Sequence, residues 1–236
     1  MSKIGFLLGT GMERTAEELC VAGARLLGRV YINKTSAGQP ASYLEHLQID
    51  KKEIFLLHRH GLRHEFNPAT IPYMANVLAL KEEAVDEIFS LGTAGALNKD
   101  LNLGQFYRVV DFLQSNIVEY EIMNTVMPYG SVKHFSTKVG DLLGNIKAKL
   151  NSDGIVYAQL NSPDGAKENL VKSFQAGGAG VVGMTLYNEA RVLTVVGVKF
   201  GVAIIISDSM VEEVSPVWDR ISKNTANLIL AISGSD

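Results

Sequence analysis

Apolar residues recur along this chain in two alternating patterns, short continuous runs and longer stretches with helical spacing. The continuous runs predict strands. Several are apolar at almost every position, which is typical of strands covered on both faces. The predicted strands are Lys3–Leu8, Ile54–Leu57, Glu87–Leu91, Phe106–Phe112, Ile155–Leu160, Gly180–Met184 and Lys199–Ser207.

Between these strands, apolar residues return at intervals of three and four, which indicates helices. Strands that alternate with helices predict an α/β fold, a three-layer αβα sandwich around a twisted, mainly parallel central sheet. No Pro/Ser-rich linker divides the chain, so we expect one domain over residues 1–236. The helical stretches are Met12–Leu27, Tyr73–Leu80, Val139–Leu150, Leu170–Phe174, Tyr187–Val195 and Val217–Ile232.

Composition excludes several function classes. The net charge is -3 and the basic residues are scattered, so the cationic face of a nucleic-acid-binding protein is missing. No apolar run approaches the ~20 residues that cross a bilayer, and the N-terminus lacks a secretory signal. Cys20 is the only cysteine, which excludes an intrachain disulfide and a CxxC metal site and predicts inert packing in a reducing compartment. We therefore expect a soluble cytoplasmic protein without a metal.

Three predicted strands end in turns of small residues. Gly9, Thr10 and Gly11 follow the first strand, the pair Arg59 and His60 precedes Gly61, and the run LGTAGALN follows the third strand. Backbone N–H groups of such turns, with an Arg-His pair nearby, suit an oxyanion at one edge of the sheet. Taken alone, the Arg-His pair has an alternative interpretation, since such pairs after strands are often solvated charges of a surface turn. A dinucleotide site after Gly9 is a weaker alternative, because no third glycine follows at the required offset.

The order and spacing of these motifs resemble the nucleoside phosphorylase family, in particular the branch of methylthioadenosine phosphorylase and trimeric purine nucleoside phosphorylases. The resemblance covers nearly the whole chain. Its markers are IGFLLGTGM, LLHRHGLRHEFNP, IPYMANVLALKE, LGTAGALN, VVGMTLYNEA and IIISDS. It implies phosphate-dependent cleavage of a purine nucleoside to free base and pentose 1-phosphate, with methylthioadenosine, inosine or guanosine as substrate. Inorganic phosphate is then a co-substrate, no cofactor is needed, and the assembly is a homotrimer or a dimer of trimers.

The resemblance also implies site residues. Arg59 suits phosphate because it is a permanent cation with several donors, and hydroxyls supply further donors. Asp208 matches the acid that assists the leaving purine, Met184 the residue beneath the sugar, and His134 a residue near the 5′ end that can serve a neighbouring subunit. The implied phosphate-binding residues are Thr10, Arg59, His60, Thr93 and Thr185, the nucleoside-binding residues are Ala94, Gly95, Met184, His134 and Asp208, and the catalytic residues are Asp208, Arg59 and His60.

The chain departs from the family pattern around the base. Asn161 and Gly165 stand where the family has a glutamate and the phenylalanine that stacks on the purine, and Met210 replaces a second aspartate of some adenine-specific members. These losses predict a relaxed base preference, unless another aromatic such as Tyr187 or Tyr157 covers the base. They also leave open a catalytically weak or inactive relative that binds a nucleotide or phosphorylated ligand.

Overall fold

The computed structural model describes residues 2–114, 151–160 and 168–234. Within these ranges nine strands form one sheet, in the order β2-β3-β4-β1-β5-β8-β7-β6-β9. The strands are β1 Lys3–Leu8, β2 Arg25–Val30, β3 Leu44–Ile49, β4 Lys52–His58, β5 Glu87–Ala96, β6 Phe106–Gln114, β7 Asn151–Gln159, β8 Val181–Gly183 and β9 Lys199–Ser209. The helices are α1 Thr15–Val21, α2 Tyr73–Glu82, α3 Glu168–Ala176, α4 Leu186–Val196 and α5 Trp218–Ser233.

The centre of the sheet is parallel. Strand β1 lies between β4 and β5 with all three running in the same direction, and β9 runs parallel to β5. Strand β9 also pairs antiparallel with β6, so the sheet curls until β5, β8, β7, β6 and β9 close into a ring. The carboxyl ends of β1, β4, β5 and β9 therefore meet at one edge, where such sheets bind ligands.

Helices cover the sheet on both faces, which confirms the expected three layers. Side chains alternate along β1, so Leu7 packs with α2 and α4, whereas Phe6 and Leu8 pack with α1 and α5 on the other face. Helix α3 packs through Val171 and Phe174 onto a third apolar cluster that includes residues of β7 and β8. Burial on both faces explains why these strands have continuous apolar sequences.

Three features near the N-terminus differ from the prediction. The helical spacing extends to Leu27, but α1 ends at Val21, because Gly23 takes a left-handed conformation (φ +102°) and the chain continues into edge strand β2. Strands β2 and β3 were not predicted. In β2 the apolar residues Leu26 and Leu27 remain exposed, so this edge strand lacks the continuous apolar run of a buried strand. Cys20 is exposed rather than packed. The predicted helix Val139–Leu150 lies outside the described residues.

Across the described ranges, no helix combines the length and apolarity required to span a bilayer.

Candidate functional site

A cavity of 380 Å³ opens at the edge where the parallel strands end. Its wall takes residues from the segments after β1, β4 and β8, from the later half of β5, from the end of β9 and from the start of α5. The lining residues are Gly9, Thr10, His60, His64, Pro68, Gly92, Thr93, Ala94, Gly95, Leu160, Val182, Gly183, Met184, Thr185, Ser207, Asp208, Met210 and Trp218.

Gly9 brings the end of β1 into close contact with β5. Its N–H donates to the Leu91 carbonyl at 3.0 Å. A Cβ at this position would lie 3.3 Å from both the Leu91 oxygen and the Gly92 Cα. Both are backbone atoms, so they cannot move aside as easily as a flexible side chain. Glycine therefore suits this close approach, and the following residue, Thr10, lines the cavity as Thr93 does.

The glycine-rich run after Leu91 is not the turn that its sequence predicts. Strand β5 continues to Ala96, and these residues pair with β9, with a register shift between Ala94 and Gly95. A Cβ on Gly92 would lie 3.0 Å from the Leu186 side chain and one on Gly95 would lie 2.6 Å from that of Met210, so larger residues here would displace these two side chains. Thr93 and Ala94 thus enter the cavity wall from a strand.

Arg59 lies behind the cavity wall instead of lining it. Its side chain is fully buried and forms an ion pair with Glu189 of α4, Nη1 to Oε2 at 3.2 Å. Nη2 donates to the Leu7 carbonyl at 2.8 Å and also to the Leu91 carbonyl. Burial raises the pKa of the Glu189 carboxyl, while Arg59 and a hydrogen bond from Ser90 lower it. The guanidinium therefore ties the ends of β1 and β5 to α4.

Thr185 connects this buried pair to the cavity. Its Oγ1 accepts a hydrogen bond from Arg59 Nη1 at 3.1 Å. Because that contact uses the oxygen as an acceptor, the hydroxyl hydrogen is free to point elsewhere, and the side chain lines the cavity. Thr185 can thus donate to an anion in the cavity while Arg59 supplies positive charge behind it.

His60 and His64 form a stacked pair in the wall. Their ring centroids are 4.3 Å apart, with 10° between the planes. The Nδ1–H of His60 donates to the Phe66 carbonyl at 2.8 Å. Burial lowers the pKa of His60 from 6.5 to about 4, helped by the charges of Arg59 and His64 and opposed by the bond to Phe66. His60 is therefore neutral near neutral pH.

Asp208 supplies a carboxylate at the end of β9. Its Oδ1 accepts a hydrogen bond from the Ser207 hydroxyl at 2.6 Å, and both residues line the cavity. The side chains of Met184 and Met210 add apolar surface nearby. Trp218, with 46% of its surface exposed, closes the wall from the start of α5.

The structure gathers most of the predicted residues at this cavity. Thr10, His60, Thr93, Thr185, Ala94, Gly95, Met184 and Asp208 line it, and Arg59 lies behind it. His134 and the segment Asn161–Gly165 lie outside the described residues. Within the described ranges, no group of three or more His, Cys, Asp or Glu residues is arranged to hold a metal ion.

Sequence reasoning missed four residues: Glu189, His64, Ser207 and Trp218. The sequence RHGLRH repeats an Arg-His pair, which could have indicated His64 as a second histidine at the site. Glu189, the partner of Arg59, is recognisable only from the fold. Neither aromatic proposed to cover the base is in the wall. Tyr157 is fully buried with its hydroxyl near the Thr185 N–H, and Tyr187 packs edge-on against Phe112. Apart from the histidine rings, Trp218 is the aromatic side chain that the described wall contains.

This chain is similar to known proteins in sequence and in fold. The probable S-methyl-5'-thioinosine phosphorylase of Thermodesulfovibrio yellowstonii is 24% identical over 214 residues, which cover 87% of this chain and 77% of that protein. The protein of the same name from Methanocaldococcus jannaschii is 33% identical over 151 residues, 60% of this chain and 58% of its own length.

A solved structure, methylthioadenosine phosphorylase from Schistosoma mansoni in complex with tubercidin, superimposes with a TM-score of 0.82 at 19% identity. The superposition covers 99% of this chain and 91% of that chain, and it confirms the expected fold class. A sequence model described as the phosphorylase superfamily matches residues 3–233. Because that match spans nearly the whole chain, the protein belongs to the phosphorylase superfamily.

Proposed function

We propose that this protein is a purine nucleoside phosphorylase, a pentosyltransferase that cleaves a purine nucleoside with inorganic phosphate. The observation that carries the proposal is the meeting of three threonine side chains and His60 with the Asp208 carboxylate in one cavity. The volume of 380 Å³ falls within the range usual for small-molecule sites. Membership of the phosphorylase superfamily supports the same reaction.

The oxyanion end of the cavity is where phosphate would bind. Thr10, Thr93 and Thr185 offer hydroxyl donors, and Arg59 stands behind Thr185 as a buried cation. An anion held beneath the sugar stabilises the positive charge that develops as the glycosidic bond breaks. A phosphate oxygen then bonds to the anomeric carbon, and the electron pair of the broken C–N bond leaves with the base.

Asp208 would serve the leaving group. Its carboxyl lies in the wall at the end of β9, on a different strand from the threonines, and its Oδ1 is already held by Ser207. From that position it can hydrogen-bond a purine ring nitrogen and help to deliver the proton that neutralises the departing base. Arg59, His60 and Asp208 then share the catalytic roles, with Ala94, Gly95 and Met184 beside the nucleoside.

Substrate and assembly belong to the same proposal. Methylthioadenosine comes first in the substrate panel, because the relatives are named for methylthio-nucleosides, followed by inosine and guanosine. We propose a homotrimer, or a dimer of trimers, in the cytoplasm. Exposed apolar side chains at Val21, Leu26 and Tyr31 are consistent with further contacts between copies. Light scattering that shows a monomer at micromolar concentration would contradict the assembly.

Phosphate-dependent release of free base tests the proposed reaction. Purified protein is incubated with each nucleoside, with and without phosphate, and base and pentose 1-phosphate are separated by chromatography. Arsenate in place of phosphate should also release base, without accumulation of the sugar phosphate. Release of base that needs neither anion would indicate hydrolysis, and the absence of release across the panel would favour an inactive ligand-binding relative.

A further inference from the structure

We propose that His60 accepts a hydrogen bond from a protonated oxygen of the bound anion, so that this cavity selects hydrogen phosphate over sulfate. The inference rests on the proposed function, because it takes the threonine-lined end of the cavity as the phosphate site. Beyond the proposed function, it specifies the protonated form of phosphate that the site binds and names His60 as the residue that distinguishes this form.

The His60 ring has a fixed orientation. Its Nδ1 lies 2.8 Å from the Phe66 carbonyl oxygen, and the Phe66 N–H returns a bond of 2.9 Å to the His60 carbonyl. A carbonyl oxygen only accepts hydrogen bonds, so Nδ1 carries the hydrogen. In a neutral imidazole the other nitrogen, Nε2, then has a lone pair and no hydrogen.

The surroundings of the ring keep it neutral. The guanidinium of the adjacent Arg59 and the stacked ring of His64, 4.3 Å away, both oppose a positive charge on His60. The nearest carboxylate of the same loop, Glu65, is turned away toward the Arg63 N–H and Gly61. Burial acts in the same direction, since it lowers the pKa of the ring to about 4.

The geometry of the loop keeps the second ring in place. His64 has a left-handed backbone (φ +60°), which is uncommon for a residue other than glycine. Gly61 is also left-handed (φ +81°), and a Cβ there would lie 2.1 Å from a Glu65 carboxylate oxygen. The strained turn between these residues places the His64 ring over His60 inside the cavity wall.

The lone pair of Nε2 requires a donor. Within the described residues this nitrogen has no hydrogen-bond partner, it is not one of their fully buried unpaired atoms, and the ring belongs to the cavity wall. Near neutral pH inorganic phosphate and arsenate each retain at least one hydroxyl hydrogen, whereas sulfate has none. An anion without a hydrogen would place an oxygen lone pair against the Nε2 lone pair, and neither atom can donate a hydrogen bond. A site that leaves a polar group unpaired in this way binds such an anion more weakly than one that supplies the hydrogen.

Calorimetric titration of the unmodified protein with phosphate, arsenate and sulfate tests this near neutral pH and at matched ionic strength. Phosphate and arsenate should bind within about threefold of each other, and sulfate at least about tenfold more weakly. Sulfate that binds within about threefold of phosphate would overturn the selection while leaving the phosphate site intact. If neither phosphate nor arsenate binds, the proposed function fails together with this inference.

Two variants assign the selection to His60. In His60→Gln the amide offers N–H donors as well as an acceptor, so the gap between phosphate and sulfate should shrink to about threefold or less. In the control His64→Asn the new residue tolerates the left-handed turn and His60 keeps the lone pair of Nε2, so the gap should persist. If a folded His60→Gln protein kept the whole difference in affinity between phosphate and sulfate, another residue would have to accept the hydrogen bond from phosphate. The ratio in the unmodified protein decides the selection itself, whether or not the variants fold.

Discussion

The buried pair of Arg59 and Glu189 leads to a stability prediction with a definite size. Both side chains have 0% exposure, and their charged groups lie 3.2 Å apart. Glu189→Gln keeps the volume of the side chain and an oxygen for the Ser90 hydroxyl, but it removes the negative charge. The Arg59 guanidinium would then remain buried with only carbonyl and hydroxyl partners.

Removal of one partner from a buried ion pair costs about 3–5 kcal/mol, because the remaining charge is uncompensated. In a protein of this size each kcal/mol lowers Tm by about 2–4 °C, so we expect a fall of roughly 6–20 °C. Urea denaturation measures the free energy without adding salt that would screen the charges.

The exposed pair of Glu168 and Lys172 on α3 provides the matched control. Its atoms are 2.7 Å apart, closer than the buried pair, but the side chains are 80% and 68% exposed. Glu168→Gln makes the same chemical change there and should cost no more than about 0.5 kcal/mol. The double variant Arg59→Met with Glu189→Gln removes the orphaned charge and should be more stable than Glu189→Gln alone. A cost below about 1 kcal/mol for Glu189→Gln would refute the argument from uncompensated charge.

Three further predictions concern the cavity. Arg59→Ala should weaken phosphate binding by up to about 1.5 kcal/mol, the lower end for a charged contact, because Arg59 acts from behind Thr185, and an unchanged dissociation constant by calorimetry would reject the role of Arg59. Asp208→Asn should reduce turnover most for nucleosides with poor leaving groups, and an equal loss on a nucleoside with an activated purine would exclude the protonation role. Because the pKa of His60 falls from 6.5 to about 4 on folding, the unfolded chain binds this proton at a higher pH than the folded protein. The unmodified protein should therefore lose stability as pH falls through this range, by roughly 3 kcal/mol at its acid end. His60→Gln should lack this loss, and urea midpoints that fall in parallel for the two proteins would count against it.

The sequence alone predicted the layered α/β fold and eight of the eighteen residues that line the cavity. Continuous apolar runs predicted strands β1 and β9, and helical periodicity predicted helix α5, because each of these elements buries a large apolar surface. The strand ends and small-residue turns predicted an oxyanion site at one edge of the sheet, because parallel strands bring their ends to the same edge. The individual positions Thr10, His60, Thr93, Thr185 and Asp208 were implied by the family resemblance, and all five line the cavity.

The tertiary structure decided the contacts that give these residues their properties. The glycine run of β5 reads as a turn, yet β9 lies alongside and makes it a strand, because pairing with a neighbour outweighs local propensity. Arg59 reads as a cation facing its ligand, yet Glu189, far away in the chain, pairs with it behind the wall. His60 reads as a possible cation, and only burial beside Arg59 and His64 makes it neutral. Charge, protonation and strand pairing depend on neighbours distant in sequence, and only the folded chain brings those neighbours together.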